Sequence, residues 1–121
     1  MGELNRKHGA WKTVLIDISV DTQLSAECDL GYDFTHILVL VPTITSAGLS
    51  VRVAKGSGGT YYPVYDFLDV SADTDVLQAT LAETTSKAIV FKIGSARYIK
   101  LYADAEQTTT DKTFYVKGFD M

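Results

Sequence analysis

Cysteine, histidine and clustered basic charge are all scarce in this 121-residue chain, and each scarcity removes a class of function. The single cysteine, Cys28, excludes an intrachain disulfide and a multi-thiolate metal site. It stands at an apolar position of an alternating segment, so a buried small hydrophobe is expected rather than a reactive thiol. Of the two histidines, His8 lies in a polar N-terminal stretch and His36 opens an apolar run with no carboxylate-and-serine set beside it. Neither is expected to ligate a metal or act as a base, because a base needs a partner and a pocket. Lysine and arginine total 11 against 15 acidic residues, and Arg6-Lys7 is the only adjacent basic pair. A net charge of −4 so distributed argues against nucleic acid as a partner, which demands a concentrated cationic surface. The longest apolar run, residues 37–41, is far shorter than the ~20 residues of a membrane span. Residues 1–12 hold no apolar stretch, so neither a secretory leader nor a membrane partner is expected.

What the chain does have is alternation. Residues 13–20 place Val14, Ile16, Ile18 and Val20 on one face. Residues 24–30 place Leu24, Ala26, Cys28 and Leu30 opposite Gln23, Ser25, Glu27 and Asp29. A period of two suits a strand with one buried face and is useless to a helix. Further strands are expected over 35–41, 49–54, 60–65, 76–81, 88–93, 97–102 and 113–119. Gly31-Tyr32-Asp33 and Gly94-Ser95 are expected to turn the chain, and the glycine-rich residues 55–60 to form a flexible hairpin tip. The expected fold is all-β: a jelly-roll-like antiparallel β-sandwich of about eight strands. Residues 11–121 make one domain and residues 1–10 an N-terminal arm.

In Ile37-Leu38-Val39-Leu40-Val41 the alternation disappears, so both faces of the strand call for burial. A strand in a two-layer fold turns one face to solvent, and something must cover the second: the arm, a loop or another subunit. Ile37, Val39 and Val41 are therefore candidate interface residues, with Trp11 and Tyr62 as candidate aromatic contacts. Among Tyr61, Tyr62, Tyr65 and Phe67, alternation sends Tyr61 and Tyr65 to one face and Tyr62 to the other. One face packs in the core, and the other is free to offer a tyrosine to a protein or a sugar. The glycine-rich loop lacks a Gly-Lys-Ser/Thr ending and leads into a strand, which excludes a P-loop. Asp66, Asp69, Asp73 and Asp75 gather in one connection without an EF-hand pattern, so they are expected to be solvated, and neither a metal nor a cofactor is expected.

Ala47-Gly48-Leu49-Ser50-Val51, followed by Gly59-Thr60-Tyr61-Tyr62-Pro63-Val64-Tyr65-Asp66, resembles small structural proteins of tailed bacteriophages. Those carry an aliphatic strand, a glycine hairpin and an aromatic strand ending near Asp. Ala96-Arg97-Tyr98-Ile99-Lys100-Leu101 and residues 114–119 fit the same pattern. The resemblance implies a non-enzymatic virion structural protein, in particular a capsid decoration or cement protein. Such a protein is made in the host cytoplasm, sits on the capsid surface as a homotrimer and has the major capsid protein as its partner. Residues 96–101 also resemble the penultimate strand of discoidin-like, galactose-binding jelly rolls, which implies a carbohydrate-binding module as the alternative. Only scaffold strands match in either case, so no ligand residue is carried over.

Overall fold

Alternating strands need a hydrogen-bonding neighbour at their edges and a core against one face, and this chain meets both needs by folding a long sheet over on itself. The computed structural model describes residues 8–64, the backbone of 78–81, and residues 87–121. The strands are β1 (Lys12–Ile16), β2 (Cys28–Val41), β3 (Ala47–Ala54), β4 (Tyr61–Pro63), β5 (Gln78–Leu81), β6 (Lys87–Ala103) and β7 (Lys112–Phe119). They form one antiparallel sheet in the order β1-β7-β2-β6-β3-β4, and β5 joins the far edge of β3 ahead of β4. No helix occurs among the described residues.

The two expected turns are bends inside continuous strands, which is why the described residues hold seven strands in one sheet. Between the Asp29–Tyr98 and Phe34–Ala96 pairs, β2 advances five residues while β6 advances two. Between Phe34–Ala96 and His36–Lys92, β2 advances two and β6 four. Each strand thus bulges once against the other, which bends the pair sharply without ending it. Left-handed backbone at Gly31 (φ 95°), Gly94 (φ 74°) and Ser95 (φ 81°) makes the corner. Residues 24–30 and 35–41, expected as two strands, contribute to the single β2, and residues 88–93 and 97–102 to the single β6.

The bend gives the sheet two halves. In the first, β1, β7, the end of β2 and the start of β6 lie side by side; in the second, β6 continues between the start of β2 and β3, and β3 carries β4 and β5 on its other edge. Val14, Ile16, Ile37, Val39, Phe91, Phe114 and Val116 from the first half join Leu49, Val51, Ile99 and Leu101 from the second in one buried cluster. At the corner Phe34 is fully buried and packs on Gly118, where a β-carbon would overlap its ring. Gly9 lies against the same ring and its N–H donates to Gly118 O at 2.8 Å, so residues 8 and 9 run along the end of β7.

Two apolar positions break the expected pattern. Strand β1 stops at Ile16, and Asp17 O accepts the N–H groups of both Val20 and Asp21 in a turn that leaves Val20 81% exposed. The Asp17 carboxylate accepts Ser19 N–H and Oγ–H, the local competition with strand pairing typical of aspartate. Before β2, Ala26 is exposed and Ser25 is buried, because Ser25 N–H donates to Leu101 O while Ser25 Oγ accepts Leu101 N–H. Cys28 is buried as expected, and that burial pushes its thiol pKa up to about 11.

Candidate interaction surface

Register and alternation place the outward side chains of the first half in rows across four strands. One row runs Thr13, Tyr115, Leu40, Ala88. In the next, Lys117, Leu38 and Val90 lie side by side, and Trp11, just before β1, continues the row with its ring 5.7 Å from Lys117 Nζ. Phe119, His36 and Lys92 make a third, in which His36 tilts against the Phe119 ring at 5.5 Å and takes a 2.8 Å hydrogen bond with Thr35 Oγ1. Val90 is 53% exposed, Tyr115 49%, Trp11 46% and Leu40 38%. The charged side chains in these rows are lysines; no carboxylate stands among them. At one end Leu40, Val41, Pro42, Lys87, Ala88, Thr113 and Tyr115 line an open depression of about 360 Å³.

The outer face of the second half is different. Arg52 and Lys100 stand directly opposite on β3 and β6, an unfavourable like-charge pairing. Tyrosine rings draw them apart: the Arg52 guanidinium lies 4.1 Å over Tyr102, and Lys100 Nζ lies 4.8 Å over Tyr61. Arg52 Nε is buried without a hydrogen-bond partner, so stacking is what holds that group. The Glu27 carboxylate accepts hydrogen bonds from Tyr61 Oη, from Gly58 N–H at 2.9 Å and from Ser57 Oγ at 2.7 Å. The glycine-rich tip, expected to be flexible, is thus latched. These bonds, the tyrosine hydroxyl first, hold Glu27 below the usual carboxylate range, and burial followed by the carboxylate raises the Tyr61 pKa. Arg97 grips Asp29 with two bonds of 2.7 and 3.0 Å; with Gly31 N–H they bring Asp29 down to about 2.

Of the five sequence-predicted interface residues, Ile37, Val39 and Val41 point into the core, at 0%, 0% and 5% exposure. Residues 37–41 are apolar on both faces, and the register set by the bulge at 30–33 turns Leu38 and Leu40 outward. Trp11 lies on that face, whereas the exposed Tyr62 sits on β4, at the opposite end of the strand order. The structure does not bring these two together. Sequence reasoning missed Val90 and Tyr115, although Ala88-Ile89-Val90-Phe91 and Phe114-Tyr115-Val116 are also apolar on both faces. Three neighbouring strands with that property were the available signal. Tyr65, Phe67, Asp66, Asp69, Asp73 and Asp75 lie outside the described residues, as do the first seven residues of the arm. Among the described residues no three or more His, Cys, Asp or Glu side chains gather as metal ligands would.

No protein-family model and no curated protein matches the chain. Among solved structures, the SPBc2 prophage-derived protein YomS is similar over 98% of this chain and 98% of its own, with a TM-score of 0.54 and 13% identity. At that degree of identity the likeness shows a shared fold and nothing further.

Proposed function

We propose that this chain is a non-enzymatic structural protein of a bacteriophage virion, and within that class a capsid decoration protein. In this reading the folded sheet is a jelly-roll-like sandwich that stands on the shell as a homotrimer and stabilises it by contact with the major capsid protein. The observation that carries the reading is the outward row of Trp11, Leu38 and Val90 beside Lys117, in which Trp11 and Val90 are about half exposed. The prophage origin of the neighbouring structure supports a phage setting. Contact area buried between a small protein and a shell favours the assembled state by mass action.

The test is co-sedimentation of the purified protein with undecorated shells of the phage that encodes it, together with the melting temperature of those shells. Binding with a raised shell melting temperature is the expected result. Absence of binding, combined with retention on immobilised galactosides, would overturn the decoration reading in favour of a carbohydrate-binding module.

A further inference from the structure

A lone exposed valine or a shallow apolar depression needs no explanation on its own. Here the two are matched in apolar character and opposite in the charge beside them. Val20 is 81% exposed at the top of a turn whose backbone is fixed by the paired hydrogen bonds to Asp17 O. Its segment carries an excess of carboxylates: Asp17 and Asp21 lie near it in sequence, Asp111 accepts Ile18 N–H at 3.1 Å and Glu106 accepts Thr22 Oγ–H at 3.4 Å, against one lysine, Lys112, opposite Ile16. The depression of about 360 Å³ between Leu40, Pro42, Ala88 and Tyr115 has ample room for a valine side chain, and the exposed Lys87 also lines it.

We infer that Val20 of one copy inserts into the Leu40–Ala88–Tyr115 depression of a second copy, with Lys87 of the receiving copy facing the carboxylates beside the valine. Such a contact joins different patches of two identical chains, so it is heterologous and builds a ring when its rotation closes. The turn is already ordered, so little conformational freedom is lost when it docks. The contact deepens the homo-oligomer part of the decoration reading and rests on that reading for its setting. It leaves the Trp11–Val90 row free for the shell.

Sedimentation velocity of the full chain across micromolar concentrations tests the contact, with circular dichroism to verify folding. Val20→Asp removes the knob and Ala88→Asp blocks the depression; both positions are exposed, so both variants are expected to fold. The wild-type protein should associate, more weakly as salt is raised, and each variant alone should sediment as a monomer. An equimolar mixture of the two should recover a dimer, because one copy keeps its knob and the other its depression. A wild-type protein that stays monomeric at every concentration would overturn the inference, as would unchanged association in Val20→Asp or a mixture that fails to pair. A monomer that still co-sediments with shells would remove this contact and leave the decoration reading standing. An oligomer that ignores shells would do the reverse.

Discussion

On β3 and β6 the outward side chains find partners within the chain, Arg52 on Tyr102, Lys100 on Tyr61 and Arg97 on Asp29, and just before β2 Glu27 holds the hairpin tip. On the other half of the same sheet, Leu40, Val90 and Tyr115 turn outward and meet solvent. Both faces rest on the same buried cluster, so the contrast does not arise from the core beneath them. It lies in whether the outward groups satisfy one another. A face whose charges are stacked and bonded gains little from a partner, because docking would break contacts already made. A face of aliphatic and aromatic side chains gains roughly 25 cal/mol for each Å² of apolar surface removed from water. The first face is satisfied by the chain itself, and the second is the one that has apolar surface to gain from a partner.

The contrast can be broken most severely at the corner that creates it. Phe34→Ala empties the space between Gly9 and Gly118 where the two halves meet, and should cost about 3–5 kcal/mol of stability. Chemical denaturation would measure this, and both faces should be lost together. Gln107 comes next. It is 1% exposed, its Oε1 accepts Thr45 N–H at 2.9 Å, and its Nε2–H donates to Thr45 O at 3.0 Å and Ala105 O at 3.2 Å. Replacing it with Ala strands those backbone groups, and a loss of about 1–3 kcal/mol is expected in the same denaturation experiment.

Smaller still is the effect of opening the latch on the satisfied face. Glu27 has a folded-state pKa below its unfolded value, so its contribution is present above the ordinary glutamate pKa. It is lost as pH falls through the lowered folded value. The protection factor of the Gly58 amide, which is corrected for the intrinsic pH dependence of exchange, should therefore fall only well into acid in the wild-type protein and be already low at neutral pH in Glu27→Gln. Equal protection of Gly58 in the two proteins at neutral pH would count against the latch.

The strands were legible because alternation is a local signal. Val14 and Ile16, Leu49 and Val51, and Phe114 and Val116 are buried where a period of two puts them. The two-sidedness of 37–41 was legible for the same reason, since it needs only five consecutive apolar residues. Its parity was not. When both faces are apolar, nothing in those five residues says which is inside, and the answer comes from bulges opposite residues some sixty positions away. Gly31 and Gly94 read as turns because glycine serves a turn and a bulge through the same positive φ. The Glu27 latch joins residues 30 and more apart in sequence, and a glutamate at a polar strand position carries no mark of its partners.

The most direct test of the contrast is a pair of variants in one shell-binding assay. Val90→Asp places a charge in the open apolar row at a stability cost of at most about 1 kcal/mol, and Arg52→Gln unstacks Tyr102 on the satisfied face at a similar cost. Co-sedimentation with undecorated shells should fall at least tenfold for Val90→Asp and match the wild type for Arg52→Gln. Full binding by Val90→Asp, or loss of binding by Arg52→Gln, would contradict the assignment of the open face as the attachment surface.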